Sequence, residues 1–498
     1  MNKQLRHVSV FALVLLAVLI GATTYWQTWA KADLAARKGN SVSLIERLTV
    51  DRGKILAADG TVLATNRKSR KHGLTLFTRH YPQNDLASQV VGYATNAGTT
   101  TGLEQSLDDY LTGANTNLTN TFKQDLDRLG NRTVHGDNVY LTLRPGIQRL
   151  ALDQLGGRCG AVVVLDAHTG AVVAMASSPT YNANLINQGK FGKIGQIKGT
   201  CGDHTALQNN ATVGLYPPGS TFKMVTAAAA LDSGDYTPSS RFNDPGYCVE
   251  YGKRVSNAGN PDQNGPEAFG NVSLAEGFEH SINSVFCNVG MHIGGLKILD
   301  YAKRFGFYSV PPLETPPDES NASGLYKYDK HGRNLWTPTS NNQVDSGRLA
   351  FGQANMLATP LQMAMVGATI ANKGVVPKPY LVQKVVAADG STVTKTQPQT
   401  LGRAIKPQTA AELNQMMQLV VQGGTAAGIF PSSLKVAGKT GTAELGLGTI
   451  YDAWFVAFAP ADHPRYVVAV VVEKQPNGFG ASVSAPIAKA ILEKLLAR

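Results

Sequence analysis

The longest uninterrupted apolar stretch lies close to the N-terminus, from Val8 to Thr24, and contains no charged residue. A helix of about 17 residues is near the minimum length that crosses the hydrocarbon core of a bilayer. Lys3 and Arg6 precede the stretch. Aromatic residues typical of a membrane interface follow it: Tyr25, Trp26 and Trp29. The pattern predicts a single membrane-spanning anchor.

A cleaved signal peptide is the alternative to this anchor. Signal peptides end in small residues before the cleavage site, whereas bulky aromatic residues follow this apolar run. The aromatic flank therefore favours a retained anchor. Positive charge before the helix predicts a cytoplasmic N-terminus, with the rest of the chain outside the cell membrane, although Lys31, Arg37 and Lys38 on the far side weaken that charge asymmetry.

From residue 31 to about residue 150, short strand-like segments alternate with polar turns and Gly- and Thr-rich loops. Nothing in this segment is arranged for chemistry. We interpret Glu104, Asp108 and Asp109 as charge on a helix surface rather than as a catalytic pair. The segment is predicted to be a non-catalytic pedestal that holds the following domain away from the membrane and offers a docking surface.

Apolar runs recur near both ends of the remaining chain and predict five strands, two early and three late. They lie at residues 160–166, 171–175, 435–443, 453–458 and 466–473. Helical segments lie between them, and a last helix is predicted for Ala485 to Leu496. This order indicates an α+β fold, in which one antiparallel sheet is accompanied by a largely α subdomain from residues 220–370.

The composition agrees with a globular chain of two or more domains: 498 residues, 43% hydrophobic and 16% charged. The formal net charge is +11. Nucleic-acid binding would require basic residues clustered with aromatic residues along a groove. In this chain the lysines and arginines are scattered, with one run at residues 67–71 as the exception, so we expect no nucleic-acid partner. That run is interpreted as a solvated loop, with attraction to anionic lipid or wall polymer as the alternative.

The chain contains four cysteines, Cys159, Cys201, Cys248 and Cys287. Their separations of 42, 47 and 39 residues fit no zinc site, and we expect neither a metal nor a cofactor. Outside the membrane, disulfides are permitted, and four cysteines allow three full pairings. We expect Cys159–Cys201 and Cys248–Cys287, with four free buried cysteines as the alternative.

The strongest chemical signal is Ser220-Thr221-Phe222-Lys223, preceded by two prolines and a glycine and followed by an alanine-rich run. Prolines and a glycine mark a helix start, and residues three apart share a helical face. A serine near a helix N-terminus with a lysine beside it can act as a nucleophile with its own base. A second Ser-x-x-Lys, Ser432 to Lys435, runs into a predicted strand, where such residues point apart, so we discount it.

Two further motifs follow in chain order. Ser281-Ile282-Asn283 lies in a predicted helical stretch, and Lys439-Thr440-Gly441-Thr442 contains the one Lys-Thr-Gly of the sequence. A second Ser-x-Asn, Ser340-Asn341-Asn342, falls in a polar loop and is discounted. Singly, these residues could be a helix cap and a solvated strand lysine. Together and in this order, they indicate one catalytic site.

The three motifs resemble the signature of penicillin-binding proteins and class A β-lactamases. Segments similar to class B penicillin-binding proteins extend the resemblance over nearly the whole chain. They are Arg52-Gly53-Lys54-Ile55, Asp59-Gly60, Leu63-Ala64, Gly102-Leu103-Glu104, Leu111-Thr112-Gly113, Leu141-Thr142-Leu143 with Gln148, Gly352-Gln353 and Thr359-Pro360-Leu361-Gln362-Met363-Ala364. Arg144 departs from this pattern, which usually has Asp there. The likeness is greatest to the short class B proteins of actinobacteria, which serve division and septal wall synthesis.

The resemblance implies a five-stranded antiparallel sheet closed by sequence-distant strands, and three parts to the chain. Residues 1–30 would be a cytoplasmic tip and transmembrane anchor, residues 31–150 a pedestal or dimerisation-like domain, and residues 151–498 a penicillin-binding transpeptidase domain. The predicted location is the cell membrane, with the catalytic domain outside.

The resemblance also implies roles for five catalytic residues. Ser220 would attack the D-Ala–D-Ala bond of a wall stem peptide, and a neutral Lys223 would accept its proton. Ser281 would relay a proton to the leaving D-Ala, Asn283 would hold substrate amides, and Lys439 would supply positive charge. The amine of a second stem peptide would then accept the acyl group.

The strand that carries the third motif would bind the substrate peptide as an added β-strand. Thr440, Thr442 and the charge of Lys439 suit a terminal carboxylate, and Gly441 allows close backbone approach. The backbone N–H groups of Ser220 and Thr442 would form the oxyanion hole. A β-lactam antibiotic, which resembles the same dipeptide, would be trapped on the serine.

Three alternatives to a transpeptidase stay open. A D,D-carboxypeptidase shares the motifs and differs in using water as acceptor, and a β-lactamase needs an activated water for deacylation. A non-catalytic β-lactam sensor or wall scaffold is the third. The expected partners of a transpeptidase are the membrane, division proteins and a polytopic glycan polymerase of the SEDS family, since the chain has no glycosyltransferase segment of its own.

Overall fold

The computed structural model describes residues 2–28, 47–71, 73–114, 133–199, 205–260, 265–330 and 332–497. Its first element is α1 Asn2–Thr28. Within the described residues, this is the one helix long and apolar enough to cross a membrane, from Arg6 to Tyr25, and its side chains are exposed over that span. The helix agrees with the predicted membrane anchor.

The other helices are, in chain order, α2 Ser88–Val91, α3 Gly102–Ser106, α4 Asp108–Leu111, α5 Pro145–Leu155, α6 Asn184–Asn187, α7 Phe191–Gly195, α8 Lys223–Asp232, α9 Leu274–Glu279, α10 Asn283–Ile293, α11 Gly295–Arg304, α12 Ser346–Leu349, α13 Pro360–Ala371, α14 Pro407–Gln422 and α15 Ala485–Leu496. Short 3₁₀ turns lie at Gly219–Phe222, Pro317–Glu319, Asn341–Gln343 and Ser432–Leu434, and a π-helical turn at Gly480–Ser484.

The strands are, in chain order, β1 Ile55–Leu56, β2 Val62–Lys71, β3 Leu74–His80, β4 Asn138–Leu141, β5 Gly160–Asp166, β6 Val172–Ser178, β7 Arg241–Asp244, β8 Tyr247–Glu250, β9 Lys253–Ser256, β10 Gly259–Asn260, β11 Gly265–Pro266, β12 Gly270–Ser273, β13 Gly324–Asp329, β14 Gly332–Leu335, β15 Met356–Leu357, β16 Val375–Pro377, β17 Val382–Val386, β18 Thr392–Lys395, β19 Thr400–Arg403, β20 Ala437–Glu444, β21 Ile450–Ala459 and β22 Tyr466–Pro476.

The N-terminal part is built on a six-stranded sheet in the order β18-β17-β4-β1-β2-β3. Strands β17 and β18 come from residues 382–395, so a hairpin from the C-terminal half completes the sheet of the N-terminal half. The hairpin joins through antiparallel pairing of β17 with β4, in which Val385 lies opposite Val139. Main-chain hydrogen bonds therefore tie the predicted pedestal to the predicted catalytic domain.

Glu104 is completely buried in the N-terminal part, which corrects its interpretation as surface charge. Its carboxylate accepts hydrogen bonds from Arg52 Nη2 at 3.0 Å and from Arg79 Nε at 2.5 Å. Asp108 is half-exposed and pairs with Arg52, and Asp109 is exposed. A buried carboxylate needs paired cations to offset its desolvation. Glu104 therefore joins β3 and the segment around residue 52 to helix α3.

The C-terminal part is built on a five-stranded antiparallel sheet in the order β20-β21-β22-β5-β6. The early and late strands meet where β22 pairs with β5, with Tyr466 opposite Asp166. Strands β5 and β6 are buried along nearly their whole length, as expected for runs of valine and alanine. The predicted α+β fold and its five strands are confirmed, and β20 forms one edge of the sheet.

Helices cover this sheet and surround the central helix α8. Helix α13 packs against β5 and β22, while α15 packs against β21, β22 and α5. All ten residues of α8 are buried, and the helix contacts α10, α11 and α14. Its alanine run at residues 227–230 lets these neighbours approach closely. The 3₁₀ turn that leads into α8 lies beside the edge strand β20.

Candidate active site

Ser220 lies in the 3₁₀ turn Gly219–Phe222, which leads directly into α8. Gly219 has a φ of +51°, and a Cβ at this position would lie 3.1 Å from the carbonyl oxygen of Thr442. Its N–H donates to the carbonyl of Gly352 at 3.2 Å. A glycine is therefore required here, both for its left-handed backbone and for the approach of β20. The turn therefore lies against β20 at Thr442.

Two side-chain hydrogen bonds join the segment before Ser220 to the sheet. Tyr216 Oη donates to Glu473 Oε1 at 2.6 Å, and Trp454 Nε1 donates to the carbonyl of Pro217 at 3.0 Å. Tyr216, Trp454 and Glu473 are buried. Sequence reasoning missed these residues because Trp454 and Glu473 lie more than 200 positions from Ser220, in strands whose residues are mostly apolar.

Lys223 is the first residue of α8, and its side chain is completely buried. Its Nζ donates to the carbonyl of Ser281 at 2.7 Å, to Ser281 Oγ at 3.2 Å and to Asn283 Oδ1 at 2.9 Å. The ring centroids of Phe286 and Phe351 lie 5.3 and 5.9 Å from Nζ. The lysine three residues after the serine is thus fixed by the second motif and enclosed by aromatic rings.

Ser281 lies in the break between α9 and α10 rather than inside a helix, so that part of the helix prediction is wrong. Its φ is +60°, a left-handed value that is uncommon for serine. Asn283 begins α10, and its Nδ2 donates to the carbonyl of Ser256 at 3.2 Å. The strained backbone at Ser281 turns both its carbonyl and its hydroxyl toward Lys223.

Lys439 reaches the same hydroxyl from β20. Its Nζ donates to Ser281 Oγ at 2.9 Å and to the carbonyl of Thr440 at 3.2 Å, and the ring centroid of Phe278 lies 5.5 Å away. Its side chain is completely buried. The structure therefore brings Lys223, Ser281 and Lys439 together, with one hydroxyl shared by two lysines.

The buried position of the two lysines lowers both of their pKa values. Burial lowers the pKa of Lys223 well below its usual range, and the charge of Lys439 lowers it further. Burial lowers the pKa of Lys439 to about 7. In the described residues, neither lysine forms an ion pair with a carboxylate that would restore its charge. Near neutral pH, Lys223 is therefore able to lose its proton and act as a base.

The edge strand β20 lies against the serine turn. A Cβ on Gly441 would lie 2.8 Å from Thr221 Cγ2 and 3.0 Å from the carbonyl oxygen of Pro218, so glycine permits this contact. Thr442 Oγ1 accepts a hydrogen bond from the N–H of Gly480 at 3.3 Å. Among the described strands, β20 pairs with β21 alone, so its other backbone edge can accept a substrate strand.

Thr440 is nearly buried, and its hydroxyl is already engaged. Its Oγ1 lies 2.6 Å from Thr425 Oγ1, and either hydroxyl can be the donor. Thr425 belongs to the loop that follows α14. Sequence reasoning missed Thr425, whose one signal was its position shortly before the third motif in a short Gly-Gly-Thr segment.

The two discounted motifs lie apart from these residues. Ser432 opens a 3₁₀ turn rather than a strand, and Lys435, with a φ of +47°, forms an exposed ion pair with Asp462. Ser340 and Asn342 lie in an exposed stretch around the 3₁₀ turn Asn341–Gln343. Both motifs were correctly set aside, the first for a different physical reason from the one predicted.

Cys248 of β8 and Cys287 of α10 form a disulfide, with their Cα atoms 6.3 Å apart. The bond ties the β8–β9 hairpin to the helix that begins at Asn283. Cys201 lies outside the described residues, so the Cys159–Cys201 pair stays a prediction. Within the described part of the chain, no group of three or more His, Cys, Asp or Glu side chains could hold a metal ion.

Comparisons with known proteins agree with the site. Residues 160–493 match the penicillin binding protein transpeptidase domain, and residues 52–139 match the penicillin binding protein A dimerisation domain. The chain is 34% identical to the peptidoglycan D,D-transpeptidase PbpA of Mycolicibacterium smegmatis, over 100% of this chain and 99% of the relative. It is 33% identical to PbpA of Mycobacterium tuberculosis, with the same coverage of both chains.

Solved structures give the same result. Penicillin-binding protein A from M. tuberculosis, as a penicillin G acyl-enzyme complex, superposes with a TM-score of 0.76 and 32% identity, covering 90% of this chain and 100% of that one. A D,D-transpeptidase domain from Eggerthella lenta gives a TM-score of 0.74 and 34% identity, covering 90% and 100%. The resemblance seen in the sequence is confirmed, and the chain belongs to the penicillin-binding protein transpeptidase family.

Proposed function

We propose that the protein is a peptidoglycan D,D-transpeptidase, which crosslinks stem peptides through an acyl-serine intermediate. The observation that carries this proposal is the shared hydroxyl of Ser281, which lies 3.2 Å from Lys223 Nζ and 2.9 Å from Lys439 Nζ. In this arrangement, Lys223 can act as the base for Ser220, three residues before it, and Ser281 can relay a proton toward the leaving group. The relatives at 33–34% identity are named peptidoglycan D,D-transpeptidases.

In the acylation step, Ser220 Oγ bonds to the carbonyl carbon of the D-Ala–D-Ala bond while neutral Lys223 takes the hydroxyl proton. The C–N bond then breaks. Ser281 donates its proton to the leaving nitrogen and is reprotonated by Lys223, so D-Ala departs as an amine. The carbonyl oxygen develops negative charge, which the N–H groups of Ser220 and Thr442 would stabilise.

The donor peptide would bind along the open edge of β20. In this position, Gly441 allows the peptide backbone to approach, and Asn283 can hydrogen-bond to its amides. Lys439, Thr440 and Thr442 would bind the free carboxylate of the terminal D-Ala, since a cation and two hydroxyls suit an anion. The side chains of Thr440 and Thr442 project from the same strand that touches the serine turn.

In the second step, the amine of another stem peptide attacks the acyl-enzyme and releases Ser220. A β-lactam would acylate Ser220 by the same route, with its lactam C–N bond broken in place of the peptide bond. The relatives solved as acyl-enzyme complexes with penicillin G and imipenem support this proposal.

A transpeptidase is favoured over a class A β-lactamase by the side chains around the two lysines. A β-lactamase needs a base that activates water for deacylation, and class A enzymes use a glutamate. In the described residues, the side-chain partners of the two lysines are hydroxyl and amide oxygens and no carboxylate. A D,D-carboxypeptidase differs only in its acceptor and is the second candidate to test.

We further propose that α1 anchors the protein with its N-terminus in the cytoplasm and residues 151–498 outside as the catalytic domain, on residues 31–150 as a pedestal. Lys3 and Arg6 before the apolar run support this orientation. A transpeptidase of this kind needs glycan strands made by another protein, so a polytopic polymerase of the SEDS family and division proteins are the expected partners.

The function is tested by incubating the full-length protein in detergent with a fluorescent penicillin. We expect a stable covalent label on the parent protein and none on Ser220→Ala. The matched control is Ser432→Ala in the second Ser-x-x-Lys, which should label like the parent. Rapid release of the label would indicate a β-lactamase, and an unlabelled parent protein would indicate a non-catalytic scaffold.

A further inference from the structure

The loop after α14 brings a hydroxyl to the back of the predicted carboxylate site. Thr425 Oγ1 lies 2.6 Å from Thr440 Oγ1. The N–H of Thr425 donates to the carbonyl of Glu279 at 3.3 Å, at the end of α9. A Cβ on Gly424 would lie only 2.4 Å from the same carbonyl oxygen. The loop therefore packs closely against the segment that leads into Ser281, and the hydrogen bond to Glu279 fixes the backbone of Thr425.

The direction of this hydrogen bond decides what Thr440 can offer to a ligand. A hydroxyl has a single proton to donate. If Thr440 donates to Thr425, only lone pairs of Thr440 remain for the substrate, and they would repel a carboxylate. If Thr425 donates, the proton of Thr440 is free to point at an anion. A Thr440 hydroxyl that donates to Thr425 therefore disfavours an anionic ligand, and one that accepts from Thr425 favours it.

The surroundings favour an anionic ligand. Lys439 is the residue before Thr440 on β20, and in the described residues its charge is not neutralised by an ion pair. An anion bound next to Thr440 would select the state in which Thr425 donates to Thr440 and Thr440 donates to the ligand. Each hydrogen bond in such a chain polarises the next one.

We propose that Thr425 is a positioning residue that orients the Thr440 hydroxyl toward the free carboxylate of the donor peptide or β-lactam. The role rests on the proposed function, and it adds a residue outside the three sequence motifs to carboxylate recognition. Thr425 acts through Thr440 and makes no contact with the reacting bond.

The test compares two ligands that differ only in this carboxylate, penicillin G and its methyl ester. The second-order rate constant of acylation is measured by stopped assay and intact mass for the full-length protein in detergent. In Thr425→Val, which keeps the shape and removes the hydroxyl, we expect the rate with penicillin G to fall about fivefold, because Thr440 loses the neutral hydrogen bond that orients and polarises its hydroxyl. The rate with the ester should change by less than about twofold.

Two further variants separate this role from a structural one. Thr425→Ser, which restores the hydroxyl, should restore the preference for the free acid. Thr369→Val removes a buried threonine hydroxyl that donates to the carbonyl of Met365 within α13, and it should leave the acid-to-ester ratio at the parent value.

An equal fall with both ligands in Thr425→Val would overturn the proposal, because it would reflect a disturbed site. An unchanged acid-to-ester ratio would overturn it as well. If the parent protein reacts with neither ligand, the proposed function itself fails and this role fails with it, whereas a reactive parent with an unchanged ratio in Thr425→Val rejects only the role of Thr425.

Discussion

Removing the charge of Lys439 should raise the pKa of Lys223 and move the pH dependence of acylation. Both Nζ atoms contact Ser281 Oγ, at 3.2 and 2.9 Å, so they lie no more than about 6 Å apart. Two unit charges at about 6 Å repel by about 3 kcal/mol at an effective dielectric constant of about 20, and this repulsion favours the neutral form of Lys223. Lys439→Met keeps a long apolar side chain and removes this repulsion.

The sign of the effect follows from the role of Lys223 as a base. Below its pKa, Lys223 is protonated and cannot accept the serine proton, so acylation rises as the pH increases through that pKa. The charge of Lys439 holds the pKa of Lys223 down. We therefore expect the acid limb of the profile to move to higher pH in Lys439→Met.

The assay measures the second-order rate constant of acylation by penicillin G between about pH 5 and pH 10, normalised to the maximum for each variant. Normalisation is needed because the loss of Lys439 also weakens carboxylate binding and lowers the whole curve. The control is Lys435→Met, which removes an exposed lysine two residues before β20. This variant should leave the acid limb of the pH profile unchanged. If the acid limb of the pH profile is unchanged or moves to lower pH in Lys439→Met, the assignment of Lys223 as the base is refuted.

Three predictions concern stability, each measured by urea unfolding of the full-length protein. Cys248→Ser removes a disulfide that closes a loop of 39 residues and should cost about 4 kcal/mol. Glu104→Gln leaves buried Arg79 without its carboxylate and Arg52 with Asp108 alone, and should cost about 3–5 kcal/mol. Tyr216→Phe removes the 2.6 Å hydrogen bond to buried Glu473 and should cost about 1–3 kcal/mol.

Matched variants make these predictions specific. Asp108→Asn changes a half-exposed partner of Arg52 and should cost less than about 1 kcal/mol, in contrast to Glu104→Gln. Tyr451→Phe alters an aromatic residue outside the buried pair and serves as the control for Tyr216→Phe. A Glu104→Gln variant as stable as the parent would show that the buried ion pairs do not hold the N-terminal sheet together.

The central sheet was predictable because its strands are short runs rich in valine and alanine, and short apolar runs bounded by turn residues are typical of buried strands. Strand β5 was predicted with the bounds that the structure gives, and so was the last helix, α15. The three motifs were predictable because their chemistry requires particular residue types. The helix-start context of Ser220 then separated it from the second Ser-x-x-Lys at Ser432, which lacks that context.

Other features have no local signal in the sequence. A serine with left-handed φ between two helices, as at Ser281, does not interrupt the helical pattern of residues around it. Burial of Glu104 depends on arginines 25 and 52 positions away, which local patterns do not reveal. The contact of Thr425 with Thr440 forms only when the loop after α14 packs against α9.

Transpeptidase activity through Ser220 is tested most directly by giving the full-length protein a stem peptide ending in D-Ala–D-Ala together with an amine acceptor and analysing the products by mass spectrometry. We expect an amide-linked product and one released D-Ala for each acyl transfer in the parent protein, and neither in Ser220→Ala. Release of D-Ala with water as the main acceptor would contradict the transpeptidase and support a carboxypeptidase. Amide-linked product from Ser220→Ala would contradict the assignment of Ser220 as the nucleophile.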